Sequence, residues 1–80
     1  MDKTPDALTR KGLELFQAGR LDAAESAFRA ALAEQADHPD ALHLLGLVLH
    51  QKEPGAAEAV TLLERAAAVL PGLWGTFYHL

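Results

Sequence analysis

The chain repeats itself. Gly12 and Gly46 lie 34 residues apart (46 − 12), and around them Leu8-x-x-Lys11-Gly12-x-x-Leu15 lines up with Leu42-x-x-Leu45-Gly46-x-x-Leu49. Downstream, Ala24-x-x-x-Phe28-x-x-Ala31 lines up with Ala59-x-x-x-Leu63-x-x-Ala66, offset by 35 (59 − 24). The extra residue falls near Lys52 to Gly55. A chain that carries one pattern twice is expected to be two copies of one supersecondary unit. Each copy is too small to bury its apolar face alone, so the copies must stack.

The stretch Leu42 to Leu49, L-H-L-L-G-L-V-L, says what kind of unit it is. It holds five Leu and one Val, and they do not keep to one stripe. This is the pattern of a helix buried on most of its circumference, which requires other helices packed on several sides. Strand signals are nearly absent: no run alternates with period two, and no Asn-Gly or Asp-Gly hairpin turn occurs. With 80 residues and no Cys, the chain has neither a disulfide nor a thiolate metal site to staple it, and packing must supply its stability.

Four helices follow from the start and stop signals. Thr4 is placed to cap the first, Pro5 suits its first position, and Asp6 favours the positive end of its dipole. Leu8, Gly12, Leu15 and Phe16 share one face, Asp6 and Arg10 form an i, i+4 pair on the other side, and Gly19 ends the helix in the left-handed conformation. The second helix starts about Leu21, with Asp22 and Glu25 in its first turn. Ala24, Ala27, Phe28, Ala31 and Leu32 make its buried face, Glu25 pairs with Arg29, and it runs out between Glu34 and Asp37. Pro39 opens the third, with Asp37 and Asp40 flanking its start as cap and dipole partners, and it fades near Gln51. Pro54 or Gly55 opens the fourth, whose apolar residues are Ala59, Val60, Leu62, Leu63, Ala66, Ala67 and Leu70 and which stops at Pro71-Gly72. Residues 73–80 make a further helical piece. Loops of a few residues force antiparallel neighbours.

The spacing and residue slots resemble the tetratricopeptide repeat, a helix-turn-helix unit of about 34 residues with small residues at fixed positions. Gly12 and Gly46 match its glycine slot, Ala24 and Ala59 the small-residue slot across the helix contact, Phe28 and Leu63 the large wedge, and Pro71 the terminal proline. The departures are Leu at the aromatic positions of the first helix, Lys11 at an exposed edge, and Ala36 in place of the first repeat's proline. The resemblance implies one all-α domain over residues 1–80, an antiparallel helical solenoid. Repeat one covers about 5–38, repeat two about 39–72, and a partial third repeat or cap 73–80.

The resemblance also implies a site. In such repeats the first helix lines a concave groove. Slot by slot, that face is Asp6, Thr9, Leu13, Phe16 and Gln17, then Asp40, His43, Leu47, His50 and Gln51, and it continues with Gly75 and Tyr78. Leu13 and Leu47, 34 residues apart, are expected side by side. The alternative for Phe16 and the Leu pair is a share in the core. The basic and amide residues with which some relatives grip a C-terminal carboxylate are replaced here by Thr9, Leu13, His43 and Leu47, which argues against such a clamp.

Chemistry finds little footing. Ser26 lies on a structural helix, and no Gly-rich phosphate loop or HExxH pattern occurs. His43 and His50, two turns apart, are separated by roughly 10 Å, too far to share one metal. No catalytic residue, cofactor or metal is therefore expected. The seven Lys and Arg are scattered and the net charge is −4, which argues against a nucleic-acid or anionic-membrane surface. No apolar run approaches the length of a membrane span, and no apolar region follows the charges of residues 1–5 as in a signal peptide, so a cytoplasmic address is the default.

Three functional expectations follow. The first is a non-catalytic module that binds a peptide or helix of a partner protein in the groove. The second is a homodimer formed through the apolar C-terminal residues Leu73, Trp74, Phe77 and Tyr78. The third is the N-terminal segment of a longer bacterial transferase, whose chemistry would lie elsewhere.

Overall fold

The computed structural model describes residues 4–69, and they form four helices: α1 (Pro5–Gln17), α2 (Leu21–Glu34), α3 (Pro39–Lys52) and α4 (Ala57–Val69). No strand occurs among the described residues. The fold is all-α, as expected. The capping helix expected over 73–80 lies outside the described residues.

Each boundary has a local cause. Thr4 accepts a hydrogen bond from the Ala7 amide at 3.1 Å, and Pro5 follows at the first helical position. At the other end of α1, Gly19 takes φ +80, its amide reaches the Phe16 carbonyl, and the Arg20 amide reaches back to Leu15. These paired bonds are a Schellman motif, and the left-handed residue at its centre is best supplied by glycine. The second within-hairpin turn differs. Glu53-Pro54-Gly55-Ala56 closes with the Ala56 amide on the Glu53 carbonyl at 3.0 Å, with Gly55 at φ +87. Proline followed by a left-handed glycine is the signature of a type II turn. Pro54 and Gly55 therefore do not open α4 as expected. They make the turn, and the helix begins at Ala57.

α1 packs on α2, α3 on α4, α2 on α3, and α1 also touches α3. Two helical hairpins are thus stacked through their inner helices. The Leu-rich helix α3 meets all three others, and Ala41, Leu42, Leu45, Gly46 and Val48 are buried in it. The core joins Ala24 and Phe28 of α2 to Leu42, Leu45 and Val48 of α3 and to Leu62 and Ala66 of α4. Fully burying a Leu or Phe contributes about 1.5–3 kcal/mol each, so this cluster is the main cohesion between the hairpins.

The two glycine slots explain how the rods come close. A Cβ on Gly12 would lie 2.5 Å from Cε1 of Phe28, and one on Gly46 would lie 2.8 Å from Leu63 and 3.3 Å from the Ala59 carbonyl oxygen. The nearest atoms over Gly12 thus belong to the large residue of the facing helix, not to Ala24. The same pair of slots, glycine under Phe28 or Leu63, recurs in both hairpins.

Candidate functional site

The face shared by α1 and α3 holds an open groove of about 550 Å³ lined by Asp6, Thr9, Arg10, Leu13, His38, Asp40, His43 and Leu44. Both hairpins contribute a wall. The groove occupies the N-terminal half of the face rather than its whole length.

His38 closes the junction between the walls. Its Nδ1 accepts the Ala41 amide at 3.2 Å and so caps α3, while its Nε2 lies 2.7 Å from Asp6 Oδ1 on α1. An acceptor carries no hydrogen at Nδ1, which places the ring hydrogen on Nε2, donating to the carboxylate. The ring is buried, whereas the Asp6 side chain is 84% exposed. Two expectations are corrected here. Asp6 meets His38 of the second hairpin rather than Arg10 one turn along, and the cap of α3 is His38 rather than Asp37. Geometry decides both: Asp6 sits on the turn of α1 nearest the α3 terminus, and Asp37 is exposed and one residue too early. The cap could have been found in the sequence. Thr4-Pro5-Asp6-Ala7-Leu8 and His38-Pro39-Asp40-Ala41-Leu42 share Pro-Asp-Ala-Leu at offset 34, which sets His38 in the slot of the Thr4 cap.

The other expected residues divide. Leu13, Asp40 and His43 line the groove. Thr9 lines it too but is only 6% exposed, and its hydroxyl donates to the Pro5 carbonyl at 2.7 Å, so it is floor rather than a free donor. Phe16 is absent from the lining and packs against the core cluster. This is the core role weighed as its alternative, set by its place one turn beyond Gly12. Leu47 is half-buried and absent from the lining, to which Leu13 and Leu44 both contribute. Gln17, His50 and Gln51 are exposed at the far ends of α1 and α3, away from the groove. Tyr78, with Leu73, Trp74, Phe77 and Gly75, lies outside the described residues. Arg10, His38 and Leu44 were not anticipated in the groove. Arg10 lies one turn from Asp6 and one short of Leu13, a spacing that signals the shared wall.

Burial in the groove works against charge on His43 and pulls its pKa below the ordinary 6.5, with Asp40 acting more weakly in the opposite direction. Among the described residues, no group of three or more His, Asp or Glu is placed to hold a metal ion. No helix among them is long and apolar enough to cross a membrane.

A second polar cluster joins α2, α3 and α4. Lys52 Nζ contacts Asp22 at 2.6 Å and Glu25 at 2.7 Å, Glu25 also meets Arg29 at 2.9 Å, and Arg29 holds Glu58 through two bonds of 3.0 and 3.1 Å. Hydrogen bonds from Lys52 and then Arg29 hold the Glu25 carboxyl below its usual range, and Glu58, followed by Glu25, raises Arg29. The expected Glu25–Arg29 pair is present and forms part of a clasp between hairpins. Arg65 adds a bond to the Ala36 carbonyl at 2.9 Å, the position without the repeat's proline.

Comparison with curated proteins and with solved structures gives no significant match. The family model described as tetratricopeptide repeat matches residues 5–48, which is 44 (48 − 5 + 1) of the 80 residues and spans α1, α2 and most of α3. With four helices in two stacked hairpins and glycine slots that recur in each, the chain belongs to the tetratricopeptide repeat family.

Proposed function

We propose that the chain is a non-catalytic module that binds a peptide or helix of a partner protein in the groove between α1 and α3. Membership of the family supports a protein–protein interaction role in general. The observation that carries the finer reading is the groove itself. It opens on the face shared by both hairpins, with Leu13 and Leu44 as apolar floor and polar groups of both signs at its edges. A short segment can bury apolar side chains on such a surface while its own polar groups find partners at the rim. On this reading residues 5–38 and 39–72 are the two repeats of one domain, working in the cytoplasm.

The test is a binding comparison. Peptides selected against the immobilised protein from a displayed library are measured on the wild type and on Leu13→Gln, a substitution outside the core cluster. The groove reading expects about tenfold weaker binding, the cost of losing about 1.4 kcal/mol of apolar contact. Unchanged affinity would remove the groove from the account.

A second reading has one observation behind it. Val60 is 52% exposed, and with Leu63 and Ala67 it forms an apolar depression on α4. A homodimer formed through this face and the apolar residues Leu73, Trp74, Phe77 and Tyr78 would cover it. Sedimentation at micromolar concentration tests this, and a strict monomer would rule it out. That the chain forms the front of a longer bacterial transferase is compatible with either reading, and the reading frame around its gene decides it.

A further inference from the structure

The groove's electrostatics narrow what it takes, given the reading of that groove as the binding surface. Asp6 and Asp40 occupy the first turns of α1 and α3, one on each wall, and both are exposed. Among the described residues neither forms an ion pair with a Lys or Arg; the one pairing is Asp6 Oδ1 with His38. At the α2–α3–α4 junction, by contrast, Asp22, Glu25 and Glu58 are all matched by Lys52 and Arg29. We infer that the end of the groove between Asp6 and Asp40 receives a basic side chain, Lys or Arg, of the partner segment, with its methylene stem lying on Leu13 and Leu44.

Three features fit that occupant and disfavour a carboxylate. Two exposed carboxylates that have no Lys or Arg partner among the described residues line the walls, so an incoming anion meets like charge twice. The floor is apolar, which suits the stem of a long cationic side chain whose head stays in water. Burial opposes charge on His43, so that ring does not offset the acids near neutral pH. Arg10, the groove's own cation, lies one turn along α1 from Asp6 and gives the site a direction. A partner's basic residue belongs at the Asp6–Asp40 end, and an acidic or neutral residue next to Arg10. The net charge of −4 adds weak attraction for basic segments at low salt.

Two fluorescein-labelled amphipathic peptides with the same Leu pattern, one with Lys and one with Glu at every polar position, test this by anisotropy on the full chain. Asp40→Asn is compared with Glu34→Gln, which removes the same charge from the exposed end of α2. The inference expects the Leu/Lys peptide to bind more tightly and Asp40→Asn to weaken it about threefold to fivefold, the scale of one exposed ion pair. Glu34→Gln should change it by much less. Equal losses in the two variants, or tighter binding of the Leu/Glu peptide, would overturn the inference. Leu13→Gln separates the two levels of the argument. If it weakens binding while Asp40→Asn does not, the groove stands and the basic occupant fails. If it leaves the tighter peptide unaffected, the groove reading itself fails.

Discussion

His38 and Asp6, 32 residues apart in sequence, meet at 2.7 Å across the junction of the two hairpins, and the same ring caps α3. One side chain thus starts the second hairpin and ties it to the first. Replacing His38 with Ala removes both bonds and leaves the Ala41 amide without its cap. The expected loss is about 1–2 kcal/mol in urea unfolding, the scale of an N-cap deletion. His38→Asn restores a capping oxygen but cannot reach Asp6, so it should recover part of that loss. Equal stability of Ala and Asn variants would mean that the cap is energetically idle.

The glycine slots make a comparative prediction. A methyl on Gly12 would press on the ring of Phe28, which is 0% exposed and has nowhere to move. Gly12→Ala should destabilise by about 1–3 kcal/mol, because overpacking outweighs the gain of up to about 1 kcal/mol in helix propensity. Gly46→Ala meets the flexible end of the half-buried Leu63 side chain, though the Ala59 carbonyl stands close by. Its cost should be smaller, and thermal melts of the two variants give the order directly. Combining Gly12→Ala with Phe28→Leu should be less damaging than the sum of the two single changes, since the smaller side chain makes room for the methyl.

Glu25 is the centre of the interhairpin clasp, bonded to both Lys52 and Arg29. Glu25→Gln should lower stability by about 0.5–1 kcal/mol at low ionic strength, since most of the cluster is exposed. The difference between wild type and variant should shrink in molar salt. The acids of this cluster have lowered pKa values in the folded chain. Their contribution is present above the ordinary carboxylate range and is lost as pH falls through their folded values. Acid unfolding followed by circular dichroism should therefore be shallower in the Glu25→Gln variant.

At His43 burial is the larger influence on the proton and the charge of Asp40 the smaller, opposing one. The folded pKa is depressed, so in mildly acidic solution the unfolded chain binds the proton that the folded chain refuses. The stability contribution is complete above the ordinary 6.5 and falls away as pH drops from there toward the folded value. The imidazole resonances of His43 should titrate with a midpoint below 6.5, and His43→Gln should flatten the loss of stability on mild acidification. A midpoint at or above 6.5 would place the ring in water.

Much of the scaffold was legible because helix signals are local. The Thr4-Pro5 start, the Gly19 stop and the spacing of Gly12, Phe28, Gly46 and Leu63 are fixed by backbone geometry and by side-chain volume within one hairpin. Pro54-Gly55 misled because proline suits a helix start as well as a turn, and only the left-handed φ of Gly55 decides between them. Contacts between hairpins were less legible. Which residue of α3 faces Leu13, and whether Asp6 turns to Arg10 or to His38, depends on how the hairpins cross, and periodicity along one helix does not carry that information. The expected face runs the length of both helices, and the groove between α1 and α3 lies at the end where the two helix starts meet.

The central claim is that partner binding takes place between α1 and α3. The most direct measurement is a map of backbone amide shifts in the ¹⁵N-labelled chain on titration with a selected peptide. The account predicts that perturbations concentrate at Asp6, Arg10, Leu13, Asp40, His43 and Leu44. Perturbations gathered instead on Val60, Leu63 and Ala67 of α4, with the α1–α3 face silent, would contradict it.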